Sequence, residues 1–152
     1  MAILKIVKFG EPGLRKVCRP VDEITPRIKT LLDDMIETMR DANGCGLAAP
    51  QVGVLRRIAV IEAEEGTVYE LINPKIIAYT GQQEEIEGCL SNPGQYGYVK
   101  RPEAVTVRAM NRNGEEYELV GHDLLARAIC HECDHLDGKL YTDFQTRPAK
   151  GK

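Results

Sequence analysis

The run His131-Glu132-Cys133-Asp134-His135 lies inside an apolar pattern that only a buried helix satisfies, and this stretch constrains the chain more than any other. Leu124, Leu125, Ala128 and Ile129 recur upstream at helical spacing, Leu136 continues the pattern, and Asp137-Gly138 supplies a stop. The pattern predicts a helix from about Asp123 to Leu136. Residues four apart share one helix face, so His131 and His135 can present their imidazoles to a single cation. Glu132 is adjacent but angled away, where a carboxylate can serve a water at the metal without occupying a coordination position. On an exposed helix the same five residues would be ordinary polar surface. The apolar flanks argue for burial, and two buried imidazoles must be hydrogen-bonded or ligated, since an unpaired buried polar group costs about 1–3 kcal/mol.

Two ligands do not make a hydrolytic centre, which takes three protein ligands and leaves a position for water. Downstream of His135 the chain has no further His, Cys or Glu, and only Asp137 and Asp143 as weak candidates. The third ligand must therefore come from upstream. Cys89, within Glu87-Gly88-Cys89-Leu90-Ser91, is the candidate; a buried structural cysteine is its other reading. A thiolate with two imidazoles suits zinc, iron(II), nickel or cobalt.

A second unusual stretch, Gly44 to Gly53, brackets small apolar residues and Gln51 with glycines and a proline. It lacks the Lys-Ser/Thr of a phosphate-binding loop. A substrate-lining loop fits better, because glycine lets backbone approach a ligand closely. Gln51 is then either a turn residue or a donor aimed at a developing oxyanion.

At 152 residues the chain fits one domain, residues 1–152, and can bury a core without disulfides. The five cysteines, an odd number and without a secretion signal, argue for free thiols and ligands. A net charge of −3 gives no electrostatic case for sequence-specific nucleic acid or anionic membrane binding. No apolar run approaches the ~18 residues of a membrane span, so a cytoplasmic protein is expected.

Ile3 to Phe9 reads as a short edge-type extended segment. Thr25-Pro26 starts a helix, Asn43-Gly44 stops it, and Ile28, Leu31, Leu32, Met35, Ile36 and Met39 form its apolar stripe. Val54 to Ile61 and Val68 to Ile72 read as an antiparallel pair ended by Asn73-Pro74, with another short strand over Lys75 to Tyr79. Ala104 to Met110 and Glu115 to Val120 flank a turn and predict a hairpin. The expected class is α+β: antiparallel β-sheets around a central helix carrying His-Glu-x-x-His, plus an N-terminal helix.

Together, Gly44-to-Gln51, Glu87-to-Ser91 and His131-to-His135 with Leu136 and Gly138 resemble, in order, the motif set of bacterial peptide deformylases. The resemblance covers nearly the whole chain. It implies a metal-dependent hydrolase that removes the N-formyl group from the formyl-methionine of newly made proteins and releases formate. Carried over by position, it implies Cys89, His131 and His135 as metal ligands and Glu132 as general base and acid. It makes the Gln51 side chain and the Leu90 backbone N–H the oxyanion hole, sets Gly46 against the substrate, and has Glu87 and Arg101 support the ligands. It also implies one divalent ion, iron(II), for which zinc, nickel or cobalt can substitute, N-formylmethionyl peptides as partners, and a transient encounter with the ribosome. Other uses of the same residues are a metallopeptidase or another amidase; a zincin-type peptidase would need a downstream ligand that is absent. A structural zinc module would recruit Cys130 or Cys133 as a fourth ligand and close the site.

Two positions depart from the family pattern: Cys130 replaces a usual glutamine, and Asn92 a commonly apolar residue. The Cys130-x-x-Cys133 spacing is read as incidental, since it lies mid-helix around a ligand and the base. His122 is expected to be a cap or surface residue, and the tail from Lys139 to Lys152 to fray.

Overall fold

The computed structural model describes residues 2–150. Helix α1 spans Pro26–Asp41 and α2 spans Asp123–Leu136. The strands are β1 (Gly46–Ala48), β2 (Ile58–Glu64), β3 (Thr67–Thr80), β4 (Gln83–Glu87), β5 (Tyr96–Arg101), β6 (Ala104–Met110), β7 (Glu116–His122) and β8 (Gln145–Ala149). They form a five-stranded sheet, ordered β1-β2-β3-β6-β7, and a three-stranded sheet, β4-β5-β8; every pairing of these strands is antiparallel. The α+β class is as expected. No helix among the described residues is long and apolar enough to cross a membrane.

Helix α1 begins, and both helices end, where local chemistry directs. The Thr25 hydroxyl accepts the Ile28 N–H at 3.3 Å, with Pro26 at the first helical position. At the other end Asn43 adopts φ +56° and Gly44 N–H returns to the Met39 carbonyl at 2.9 Å, which satisfies carbonyls of the last turn. Gly138 ends α2 at φ +74°, where a side-chain carbon would lie 2.5 Å from the Arg15 carbonyl oxygen. Only glycine fits there.

The helices cover opposite faces of β2. Ile58 and Val60 pack with Leu32, Met35 and Met39 of α1, whereas Ala59 and Ile61 pack with Ala126, Ile129 and Leu136 of α2. Successive strand residues point to opposite faces, so a strand covered on both sides is apolar throughout. Each large side chain buried this way contributes about 1.5–3 kcal/mol. Helix α2 also touches β5, so it runs between the two sheets. His131 and His135 are thereby buried on a rigid support.

Three expectations need correction. Asn73-Pro74 does not end a strand: β3 runs unbroken from Thr67 to Thr80, with a shift of register against β6 between Ile72 and Lys75. Asn73 takes φ +52°, and its amide exchanges two 2.8 Å hydrogen bonds with the Val21 backbone. The residue that reads as a stop forms a bulge. Ile3 to Phe9 joins no sheet and is pinned instead by side chains and loops, with Leu4 N–H to Thr38 Oγ1 at 2.8 Å and Val7 N–H to the Gln51 carbonyl at 2.7 Å. The tail does not fray over Tyr141–Ala149: it makes a 3₁₀ turn at Tyr141–Asp143 and then β8, paired to β5. Residues 151 and 152 lie outside the described chain. His122 is exposed at the N-cap position of α2, as expected.

Candidate active site

Helix α2 and the loop after β4 converge on one cluster. Cys89 follows β4 by two residues, and one donor atom each from Cys89, His131 and His135 lies within 4.8 Å of the others. Cys89 Sγ is 3.3 Å from His135 Nε2. The His131 and His135 rings are 5.0 Å apart and nearly edge-on. His131 Nδ1 meets Glu87 Oε1 at 2.9 Å, which leaves Nε2 as its free donor. His135 Nδ1 and Glu132 Oε1 are buried without a protein partner. One thiol and two imidazoles, converging with the His131 ring held through Glu87, fit a divalent transition-metal ion.

The support beneath His131 is continuous. Glu87 accepts two hydrogen bonds from Arg101, at 2.9 and 3.0 Å, and Arg101 Nη1 meets Asp134 Oδ2 at 2.6 Å. His131 and Asp134 sit three apart on α2, so the bridge leaves the helix, crosses β4 and β5, and returns. Burial alone would raise the Glu87 carboxyl, but His131 and Arg101 outweigh it and hold it at about 2. Burial likewise opposes the Arg101 charge, and Glu87 more than restores it. Buried charges persist here because each is paired.

Glu132 stands apart from this network, 4% exposed. Burial pushes its carboxyl up to about 7; His131 and Arg101 oppose the rise. A carboxyl poised there can both take and return a proton near neutrality. Gly46, on β1, leaves the room it occupies: a side-chain carbon at Gly46 would lie 3.0 Å from Glu132 Cδ and overlap its carboxylate oxygen. Burial and the neighbouring His131 and Arg101 charges depress His135, so its imidazole stays neutral.

Gln51 is buried in the 3₁₀ turn Ala49–Val52. Its Oε1 accepts the Ala48 N–H at 2.9 Å, which turns Nε2 toward Ser91 Oγ (3.1 Å) and Cys89 Sγ (3.4 Å). The cluster floors a cavity of about 710 Å³ lined by Gly46, Gln51, Leu90, Ile86, Leu124 and Arg127 among others. Strands β1 and β4 each pair on one side only, so two open edges border it.

Residues 3–150 match the model of the polypeptide deformylase family. The chain belongs to the peptide deformylase family. A peptide deformylase of Alkaliphilus metalliredigens is 58% identical over 143 residues, 94% of this chain and 97% of that one. A solved peptide deformylase from Legionella pneumophila superimposes with a TM-score of 0.92 at 43% identity, covering 95% of this chain and 86% of its own. The Ehrlichia chaffeensis peptide deformylase, solved in complex with actinonin, gives 0.93 at 37% identity, covering 96% and 90%. The protein is a metal-dependent deformylase: it hydrolyses the N-formyl group from nascent peptides.

Of the cluster's residues, Asp134 and Ser91 are the ones whose supporting places the sequence leaves unnamed. Asp134 lies inside the five-residue run, and only a helix already docked on β5 reveals its partner. Cys130 is buried in the core beside Ala126 and Ile129, its thiol pushed up to about 11 by burial. It is absent from the donor cluster.

Proposed function

We propose that Cys89, His131 and His135 hold the catalytic ion and that Glu132, Gln51, Leu90 and Gly46 act on the formyl peptide bound beside it. The observation that carries this reading is the convergence of three ligand atoms within 4.8 Å, next to a buried carboxyl, on the floor of an open cavity. Iron(II) is the proposed native ion, with zinc, nickel or cobalt as substitutes. Bound there, the cation supplies Lewis acidity to water and to the formyl oxygen.

The remaining steps belong to the protein. The formyl peptide lies extended between the edges of β1 and β4, as in strand addition, with Gly46 admitting its backbone. Glu132 takes the proton of the attacking water as the C–O bond forms. Negative charge on the formyl oxygen meets Gln51 Nε2, already oriented through Ala48, and the Leu90 backbone N–H. The C–N bond then breaks, Glu132 returns the proton to nitrogen, and formate and the free amine leave. Residues 1–152 act as one catalytic domain. Because its substrates are chains in synthesis, the reading puts the enzyme in the cytoplasm, in transient contact with the ribosome.

Formate release from formyl-Met-Ala-Ser tests this, using protein purified anaerobically and reloaded with iron(II), nickel(II) or zinc(II). Metal-dependent release, lost in Glu132→Ala, supports the assignment. Full release by Glu132→Ala, or by Cys89→Ala at saturating metal, overturns it.

A further inference from the structure

Tyr141 touches both halves of the ligand set. It occupies the 3₁₀ turn after α2 and is 2% exposed. Its ring stacks on His131, with centroids 6.0 Å apart and planes inclined by 22°. Its hydroxyl accepts from Asn92 Nδ2 at 3.0 Å and donates to the Gln95 carbonyl at 3.3 Å. Both partners belong to the loop that carries Cys89, and the Asn92 backbone N–H bonds the Cys89 carbonyl at 2.9 Å. A buried phenol needs a donor and an acceptor, and this one finds both on a single loop.

Cys89 is the one ligand of the three that no regular element carries. Other ties hold its loop: Phe9 N–H to the Ser91 carbonyl at 2.9 Å, and Gln51 Nε2 to Ser91 Oγ at 3.1 Å and to Cys89 Sγ at 3.4 Å. These come from Phe9 and Gln51, whereas the bonds of the Tyr141 hydroxyl with Asn92, the shorter, and with Gln95 join this loop to the ring packed on a helical ligand. We infer that Asn92 and Tyr141 form a clamp that sets how long the metal is retained. Tyr141 is thus a positioning residue, acting through the His131 ring and the Cys89 loop. The inference rests on the ligand set proposed above. Residues that orient ligands from outside typically change metal affinity by about 10- to 100-fold. A ligand loop freed to swing away raises the rate at which the ion leaves.

The test loads the full chain with zinc(II) and follows its release into excess EDTA for the parent, Tyr141→Phe, Asn92→Leu and the double variant. Tyr141→Phe keeps the stacked ring and removes only the hydroxyl. Release is expected to quicken on the order of tenfold in each single variant. The double variant is expected to match Tyr141→Phe, because losing the hydroxyl already removes the bond from Asn92 together with the bond to Gln95. Thr25→Ala, which weakens α1 far from the loop, serves as the stability control and is expected to release zinc at the parental rate. Unchanged rates in the single variants overturn the clamp, as do effects that multiply in the double variant or an equal acceleration by Thr25→Ala. A parent that holds one zinc per chain with insensitive variants rejects the clamp alone. A parent that holds none rejects the ligand set and the clamp together.

Discussion

At the residue scale the site is a division of labour between carboxyls set by their surroundings. Glu87 is buried against Arg101 and His131 and stays ionised; Glu132 is equally buried, lacks a bound cationic partner, and rises to about 7. Glu132→Gln keeps the volume and removes the proton traffic, so kcat is expected to fall on the order of 10²–10⁴-fold with metal content unchanged by elemental analysis. Loss of metal together with activity would make Glu132 a structural support instead. Gly46→Ala puts a methyl where the Glu132 carboxylate lies. An expected loss of at least tenfold in kcat/KM, at a parental circular-dichroism spectrum, follows from displacing a proton-transfer group by a fraction of an ångström. Parental kinetics would show that the carboxylate moves aside without consequence. Both residues are legible in the sequence for different reasons. Glu132 is fixed by its spacing to two histidines on one helix, a local fact. Gly46 is legible as a glycine of a substrate-lining loop, but its contact with Glu132 shows only once its neighbour across the fold is known. Tyr141 is not legible at all, because its two partners lie in a loop 46 and 49 residues away in sequence.

At the element scale, readable segments are those whose chemistry is written along their own length. Helix α1 announces itself through Thr25, Pro26 and an apolar stripe, and α2 through its stripe and Gly138. Strands β6 and β7 are marked by the turn between them. By contrast β4, Gln-Glu-Glu-Ile-Glu, has one apolar residue, and β8 contains Arg147 and Pro148, so neither shows the alternation of a half-buried strand. Both are edge strands, where a polar sequence and a missing N–H are tolerated. The bulge in β3 is the most instructive case, since Asn73-Pro74 carries the signature of a chain reversal yet serves to hold Val21. Asn73→Ala removes both hydrogen bonds to Val21 and leaves a side chain at positive φ. The expected cost is about 2–3 kcal/mol in urea unfolding. A change under about 0.5 kcal/mol, the size of an ordinary surface substitution, would show that the bulge is held by its β-sheet pairing alone.

At the scale of the whole molecule, the proposed metal site would join parts of the chain that the core keeps apart. Its donors come from α2, which lies against the five-stranded sheet, and from the loop leaving β4 of the other sheet. An ion bound to all three therefore ties the two sheets, and an ion that prefers the native arrangement stabilises it by mass action. With free metal about 1,000-fold above its dissociation constant the gain is about 4 kcal/mol, which for a chain of this size raises the melting temperature on the order of 10 °C. Chelation is expected to remove that gain and reloading with zinc(II) or nickel(II) to restore it. Cys89→Ala breaks the link from β4 to α2 while keeping both histidines, so its melting temperature is expected to be nearly the same with metal and without. Arg101→Met tests the other bridge between the same elements: Glu87 would be left as a buried, unpaired charge against His131, at an expected cost of about 3–5 kcal/mol whether metal is present or not. If Cys89→Ala gained as much stability from metal as the parent, the ion would be held by the histidines alone. The two sheets would then be joined by Glu87, Arg101 and Asp134 rather than through the catalytic centre.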